Sequence, residues 1–200
     1  MKNTFSGLAL LSAITMSGVA HAQSTDTNTT TETAPDGTPA FGIEPYFSVQ
    51  GSFESYDRNL KSSVNLPANP AGRYDGYSVE GTVGINIPLG QLFVGAEGIV
   101  AKGVSGDIDW RYGAVGRAGF RAGDSGMIYG KAGYEWTNFK TLIAGNRDYG
   151  NEVYGIGVEV GPKDIGLGGI TSNSGIRLRL EANTTDFESI RPTIGVVAHF

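Results

Sequence analysis

Charged side chains recur at even spacings in several segments of this 200-residue chain. Arg177, Arg179 and Glu181 follow one another at every second position, and Arg117 and Arg121 are four residues apart. Side chains at even spacings share one face of a β-strand, so each set should line a single face. Over all such faces we count six acids against seven bases. Near-equal numbers favour ion pairing in an enclosed space over a binding site for one sign of charge.

The chain offers little for covalent or metal chemistry. Cysteine is absent, which excludes disulfides, thiolate nucleophiles and thiolate metal sites. His199 is the only histidine of the predicted mature chain, and hydrolase chemistry would need it beside a carboxylate and a nucleophile or water. Loop acids could bind divalent cations, but solvated acids are commoner; these are Asp107 with Asp109, and Asp186 with Glu188. We expect no cofactor, no metal and no enzymatic activity.

The first 22 residues have the pattern of an export signal. Lys2 is followed by an apolar or small stretch from 7 to 20, and Ala20-His21-Ala22 matches a signal-peptidase site. Residues 23–44 are rich in Thr, Ser, Asn and Pro, which is typical of a disordered periplasmic leader. The net charge of −5 argues against a nucleic-acid partner. The predicted organisation is therefore a signal peptide at 1–22, a leader at 23–44 and a folded domain at 45–200.

The folded domain alternates polar and apolar residues in eight stretches of about ten residues, the length of a tilted membrane-crossing strand. They span 46–56, 77–87, 92–101, 110–121, 126–136, 152–161, 175–184 and 190–200. Connections at 57–76, 102–109 and 137–151 look long, and those at 88–91 and 122–125 look short, whereas 162–174 and 185–189 fit this alternation less well. We predict an all-β fold, an eight-stranded antiparallel up-and-down transmembrane barrel.

A soluble barrel with an apolar interior would show the same alternation. The apolar faces are almost free of charge, while the charged faces also carry many glycines, which a narrow lumen needs beside large side chains. Aromatic residues near the ends of the apolar faces form a predicted membrane girdle. They are Tyr77, Trp110, Tyr112, Tyr134, Trp136 and Tyr154 on the long-loop side, with Phe47 and Phe120 on the other.

With the apolar faces outward, the charges point into the lumen. The predicted ion-pair network contains Glu80, Glu97, Arg117, Lys131, Glu135, Glu159, Arg177, Arg179, Glu181 and Arg191. Glu54, Arg111 and Arg121 are assigned to the same faces. Counting residues back from each connection predicts which charged residues are neighbours on adjacent strands. The predicted neighbours are Glu159 with Arg177, Glu181 with Arg191, Glu80 with Glu97, and Arg117 with Lys131. Such a network would either fill the interior or gate a low-conductance pore.

Two segments resemble a known family. The ending Ile194-Gly-Val-Val-Ala-His-Phe200 resembles the last strand of outer-membrane barrels, in which a terminal Phe is the signal read by the barrel-assembly machinery. The segment 116–139, with Gly-Arg-Ala-Gly-Phe and Met-Ile-Tyr-Gly-Lys-Ala-Gly-Tyr, resembles small OmpA-type or porin-like surface antigens of Alphaproteobacteria. The resemblance covers about residues 45–200 and implies an outer-membrane location. The catalytic sites of omptin-like and deacylase-like barrel enzymes lie toward the outer face of the membrane. His199 is expected at the periplasmic end, which is the wrong place for such a site.

These observations lead to two functional expectations. The first is a structural or surface protein whose lumen is closed by ion pairs and whose acidic loops contact lipopolysaccharide, a host or a phage. Outside the predicted lumen, the mature chain has 14 acids and 7 bases, which makes the exposed segments acidic. The alternative is a low-conductance, porin-like channel for small solutes. Expected partners are outer-membrane lipid, lipopolysaccharide and the assembly machinery.

Overall fold

A computed structural model describes residues 43–56, 74–122, 126–140, 149–161 and 175–200. Within them lie eight β-strands: β1 Glu44–Tyr56, β2 Asp75–Leu89, β3 Leu92–Gly106, β4 Ile108–Ala122, β5 Gly126–Phe139, β6 Tyr149–Val160, β7 Ile176–Thr185 and β8 Ser189–His199. The predicted signal peptide and most of the predicted leader lie outside the described residues. Glu44, assigned to the leader from the sequence, is the first residue of β1.

The eight strands form one closed antiparallel barrel in chain order. Each strand pairs with the next, and β1 closes the ring by pairing with β8, for example Val49 with Val196. Closure leaves no free strand edge among the described residues, so the ladder hydrogen bonds are satisfied within the sheet. No helix of the described part is long and apolar enough to cross a membrane.

The barrel has two ends, which we name by their connections. The loop end carries the connections β1–β2, β3–β4, β5–β6 and β7–β8. The terminal end carries the other three connections, the start of β1 and Phe200. At the terminal end, β2 and β3 are joined by a two-residue turn of Gly90 and Gln91, and Gly90 adopts a φ of 72°. This left-handed backbone conformation is accessible to glycine without steric cost.

The predicted long connection at 102–109 is wrong. β3 extends to Gly106, β4 begins at Ile108, and only Asp107 separates them. Gly106 takes a φ of 78°, and the Asp107 amide donates to the Asp75 carbonyl at 2.9 Å. The sequence pattern was misread because glycine, serine and aspartate are usual loop residues, whereas here they accommodate register irregularities near the end of a hairpin.

Burial alternates along every strand, as a barrel with one charged and one apolar face requires. Outward apolar side chains are exposed, for example Val83 at 66% and Ile156 at 70%. The interior is not purely polar, because three groups of apolar side chains face inward. Phe93 and Ile99, which share the face of Glu97 on β3, belong to two of these groups and are 1% and 5% exposed.

Inward glycines make room for the large side chains of the lumen. A Cβ at Gly113 would lie 2.7 Å from Cγ of Glu135, and one at Gly195 would lie 2.6 Å from Cγ of Gln50. Outward glycines near the middle of the strands have no such neighbour: the nearest atoms to a Cβ at Gly116 are 3.9 Å away. Glycine on the inward face is therefore a packing requirement of this narrow lumen.

Candidate functional site

The candidate site is the lumen. All ten residues of the sequence-predicted network are buried there, with exposures of 0–6%. Glu54, Arg111 and Arg121 are buried with them, and Glu44 joins the set. The described lumen thus holds seven carboxylates and seven basic side chains. Alternation along β1 could have identified Glu44, because it is an even number of residues from Ser48, Gln50 and Glu54.

Five of these residues form the loop-side cluster, which consists of Glu54, Glu80, Arg111, Glu135 and Arg191. They come from β1, β2, β4, β5 and β8, and every one has a side chain that is 0% exposed. Arg111 donates to Glu54 at 2.7 Å and to Glu80 at 2.6 Å. Arg191 donates to both oxygens of Glu135, at 2.7 and 2.8 Å. A two-point contact of this kind is strong and directional.

Six residues form the terminal-side cluster, namely Glu97, Arg117, Lys131, Glu159, Arg179 and Glu181. Arg179 is its centre, because it contacts Glu97 at 2.7 Å and Glu159 at 2.9 Å. Arg117 reaches Glu159 at 2.9 Å, and Lys131 reaches Glu181 at 2.5 Å. Three acids and three bases neutralise one another here, which offsets the cost of removing each from water.

Aromatic rings hold Arg117 within this cluster. Its guanidinium carbon lies 4.0 Å from the ring centre of Tyr129, 4.9 Å from that of Tyr46 and 5.2 Å from that of Phe93. The Tyr129 hydroxyl donates to Glu181 at 2.7 Å. Cation–π contacts are strongest where water is excluded, so these rings add to the fixed geometry of the ion pairs. The aromatic residues were not among those predicted for the lumen.

The terminal end of the lumen has its own polar contacts. Arg121 donates to Glu44 at 2.5 Å. His199, predicted to be a terminal-strand residue, lies with Nε2 at 2.7 Å from a Glu159 oxygen, and its ring is 5.2 Å from that of Tyr46. The contacts recorded for His199 therefore belong to the ion-pair network and include no serine or threonine hydroxyl.

Three of the four predicted strand registers are wrong. Glu159 pairs with Arg179 rather than Arg177, and Arg191 pairs with Asn183 rather than Glu181. Glu80 pairs with Ala101. Arg117 does pair with Lys131.

Each register error is an even number of residues, so it leaves every side chain on its predicted face. The errors arise from connections whose lengths do not reveal their geometry. In β2–β3, Pro88 looks like a turn residue, but it continues the strand and pairs with Phe93. In the β7–β8 connection, Asp186 and Phe187 both have positive φ. The centre of this hairpin lies one residue further along the chain than the sequence predicts.

Hydroxyl groups lie between the two clusters along β1 and β2. Ser52 and Ser78 lie 2.7 Å apart, and Ser48 and Thr82 lie 2.6 Å apart. Arg111 contacts the first pair through Ser52 at 3.4 Å. Arg179 of the terminal-side cluster lies 3.5 Å from the hydroxyl of Thr82 in the second pair. Each hydroxyl pair therefore extends the polar contacts of one cluster toward the other.

An aromatic cap covers the loop-side cluster, and we define it as Tyr56, Tyr74, Ile108, Phe139 and Tyr149. The Tyr56 ring meets those of Phe139 and Tyr149 edge-on, with centres 5.6 and 5.9 Å away. Burial, followed by the nearby Asp107 carboxylate, raises the pKa of Tyr74. The cap joins residues at the ends of β1, β4, β5 and β6, so it lies where those strands meet the loops.

The outer surface is apolar and carries the eight residues that were predicted to form a membrane girdle. Of the eight girdle residues, seven are 39–58% exposed and Tyr154 is half-buried. Tyr112 and Trp136 stack with their rings 5.5 Å apart on adjacent strands. An even number of antiparallel strands, an apolar outer band and a charged lumen are the architecture of outer-membrane barrels, and this chain is a transmembrane barrel of that kind.

Comparisons with known proteins do not assign a family. No protein-family model and no curated protein matches the chain. Among solved structures, neisserial surface protein A is 11% identical and covers 79% of this chain and 97% of its own, with a TM-score of 0.47. The attachment invasion locus protein Ail of Yersinia pestis is 16% identical and covers 80% and 99%, with a TM-score of 0.44.

A de novo designed transmembrane β-barrel is 14% identical and covers 80% of this chain and 96% of its own, also with a TM-score of 0.44. Similarity at this level adds nothing to what the closed barrel and its apolar surface already establish.

Proposed function

We propose that this chain is a structural surface protein of a Gram-negative outer membrane, with a lumen closed by ion pairs. The observation that carries the proposal is the burial of seven carboxylates and seven basic side chains inside one narrow barrel. Charged groups are removed from water only when partners compensate for the lost hydration. Such a lumen is a rigid polar core, and it leaves the outer loops as the surface available for contact.

Closure is supported at three levels along the barrel. The aromatic cap covers the loop side, and the two charge clusters lie beneath it. Arg179, from β7, joins Glu97 of β3 to Glu159 of β6. Because β3 and β7 are on opposite sides of the ring, such contacts cross the lumen rather than line its wall.

The alternative function is a low-conductance channel for small solutes. It is favoured by the hydroxyl pairs that lie between the two clusters, since a lumen lined with polar groups would hold water if the ion pairs exchanged partners. A gate of this kind would require several buried pairs to rearrange together. The structural function needs no such rearrangement and is the one we propose.

An enzymatic function is not supported by the surroundings of His199. Its recorded polar partner is Glu159, and the pair lies at the terminal end beside Tyr46. A hydrolytic site would need a nucleophile or an activated water within reach of the imidazole. We infer that His199 stabilises the lumen and that the protein is not an enzyme.

Partners are inferred from the exposed segments. The connections at the loop end, 57–74, 107, 140–148 and 186–188, together hold five acids and five bases, so they are not the acidic loops expected from the sequence. Contact with lipopolysaccharide, or with a host or phage ligand, is the proposed function of the loop end. Phe200 is 73% exposed and its ring stacks on Phe47 at 5.9 Å, which suits a terminal residue offered to the assembly machinery. Membership among the surface antigens of Alphaproteobacteria stays a prediction from the segment 116–139.

Loop replacement tests the proposed surface contact. Replacing 57–73 and 141–148 with short Gly-Ser linkers leaves Tyr74, Phe139 and Tyr149 in place, so the barrel should still migrate differently before and after boiling. Cells carrying this variant should lose adhesion or phage adsorption that the unmodified protein confers. A matched variant with 162–174 replaced, at the terminal end, should keep it. Unchanged binding after removal of both outer loops would contradict the proposed contact.

A further inference from the structure

The ladder that closes the barrel is interrupted at one point, between β1 and β8. The two strands keep one register on both sides of this point, and both are described throughout, yet Phe53 and Glu54 have no partner on β8. Since Ser52 pairs with Thr193, Phe53 lies opposite Pro192. Proline has no backbone N–H, so within a sheet it removes a ladder hydrogen bond.

The missing N–H belongs to the β1 side of β8. On the β7 side, Pro192 pairs with Ala182 and the ladder continues in both directions. In an antiparallel pair, a residue bonds to one neighbouring strand through both its N–H and its C=O, so the carbonyl that lacks its donor is that of Phe53. A backbone group without a partner is costly in a membrane, because no water is present to replace the lost bond.

An open hollow of about 470 Å³ lies on the outer surface at this interruption. Gly51 keeps it open, since a Cβ at this position would have no atom closer than 4.0 Å. The carbonyl of Phe53 lies between two residues that line the hollow. The outward lining is apolar and consists of Gly51, Phe53, Tyr77, Leu180, Pro192 and Ile194.

The hollow lies near the loop end of the barrel. Phe53 is three residues before the end of β1 at Tyr56. Its ring packs against that of Tyr77, one of the predicted girdle residues, with the ring centres 4.8 Å apart. A girdle marks the depth at which lipid head groups meet the first carbons of the acyl chains. The unpaired carbonyl is therefore placed at that depth.

The protein and water are both poor sources of the missing donor. The polar residues at this point face the lumen, where Ser52 lies 2.7 Å from Ser78 and Asn183 donates to Thr193 at 3.4 Å. An ordered water needs two or more polar partners, and the apolar side chains of the hollow offer none. The donor that suits this hollow is one carried on an apolar chain.

We propose that this hollow binds an acyl chain of lipopolysaccharide whose amide N–H or hydroxyl donates to the carbonyl of Phe53. Amide-linked and hydroxylated acyl chains place such donors next to the head group, at the depth of the hollow. The ester-linked chains of glycerophospholipids offer only acceptors there. This inference rests on the proposed function, which puts the loop end of the barrel in the lipopolysaccharide leaflet of an outer membrane.

Two variants remove the site in different ways. Pro192→Ala restores the backbone N–H, so the ladder itself satisfies the carbonyl of Phe53. Gly51→Leu leaves the carbonyl unpaired but fills the hollow with a side chain. Pro88→Ala is the matched control, because it changes the unfolded chain in the same way but lies at the terminal end of β2, beyond the last residue that pairs with β1.

The experiment compares the lipids that the full folded chain retains. The barrel is equilibrated in micelles that contain equal amounts of sphingomyelin and phosphatidylcholine, and bound lipids are counted by native mass spectrometry. The two lipids share a head group, but only sphingomyelin has an amide N–H and a hydroxyl beside it. Wild type and Pro88→Ala should retain sphingomyelin about twofold to tenfold better, the range for one hydrogen bond. Pro192→Ala and Gly51→Leu should show no preference.

Purified lipid A, the acylated anchor of lipopolysaccharide, should displace sphingomyelin from the wild-type barrel. A preference for sphingomyelin that lipid A does not abolish would overturn the assignment to lipopolysaccharide. Equal retention of the two lipids by wild type would overturn the site, and so would an undiminished preference in Pro192→Ala. If Pro192→Ala fails to fold, Gly51→Leu makes the same comparison.

The outcome is separable from that of the loop replacement. Replacing 57–73 and 141–148 leaves the hollow in place, so that variant should keep the lipid preference. Surface contact that survives the loop replacement would contradict the proposed function of the loops alone. A lost preference in the wild-type barrel would contradict the lipid site alone.

Discussion

Arg191 of β8 holds both carboxylate oxygens of Glu135 of β5, at 2.7 and 2.8 Å, across a lumen in which these strands are not neighbours. A contact of this kind ties together two parts of the barrel wall that share no backbone hydrogen bond. It also shows how the interior is organised, because basic side chains bridge acids from separate strands as well as pairing along one ladder, as Arg179 does with Glu159.

Breaking this pair on one side should be costly. Glu135→Gln should lower the free energy of unfolding by about 3–5 kcal/mol, because Arg191 stays buried without its two-point partner. The double variant Glu135→Gln/Arg191→Met has neither charge. Its loss in the free energy of unfolding should be smaller than the sum of the losses in Glu135→Gln and in Arg191→Met. Urea unfolding of the folded barrel measures all three.

The exposed ion pair of Lys102 and Asp109 is the control for the variants of the buried pair. Its side chains are 46% and 34% exposed, so solvent already screens them. Asp109→Asn should change the free energy of unfolding by no more than about 1 kcal/mol. A loss as large as that of Glu135→Gln would show that burial does not set the energy of these pairs.

Inward and outward glycines should respond differently to the same methyl group. A Cβ at Gly133 would lie 2.8 Å from Cγ1 of Val115 and also against the backbone of Ala114. Gly133→Ala should therefore destabilise the barrel by about 1–3 kcal/mol through overpacking. Gly116→Ala, where the nearest atoms are 3.9 Å away, should be neutral or slightly stabilising. Equal effects in thermal melts would argue against a tightly filled lumen.

A charge on the outer face should report the position of the bilayer. Val83 lies near the middle of β2 and is 66% exposed, whereas Val104 lies near the loop end of β3 and is 63% exposed. In bilayers, Val83→Arg should cost about 2–4 kcal/mol and Val104→Arg about 0–1 kcal/mol, because the penalty depends on depth. Similar costs at the two sites would be inconsistent with a membrane centred on the middle of the strands.

The alternation of residue types is sufficient to predict the fold and the direction of each charged side chain in the predicted strands, but not that of Glu44, which lies outside them. A strand has a period of two, so one correctly placed residue fixes the face of all the others. Arg177, Arg179 and Glu181 therefore predict which face of β7 points into the lumen. The register of a strand pair depends on turn geometry as well. No reliable sequence pattern predicts that β2 continues through Pro88 or that Asp186 has a positive φ.

The composition of the lumen was only partly predictable for a related reason. Phe93 and Ile99 interrupt the polar face of β3, but the sequence does not show that they pack against Met127 and against Val115. Such contacts join side chains of different strands, and they depend on side-chain shape rather than on local pattern.

Single-channel recording in planar bilayers tests the closed lumen most directly. The folded chain, with insertion verified by protease protection in the same lipid, is recorded at neutral pH across a range of voltages. The two charge clusters and the aromatic cap predict a membrane without steady openings above the background of lipid alone. Steady openings that recur with each inserted barrel would contradict the closed lumen and favour the channel.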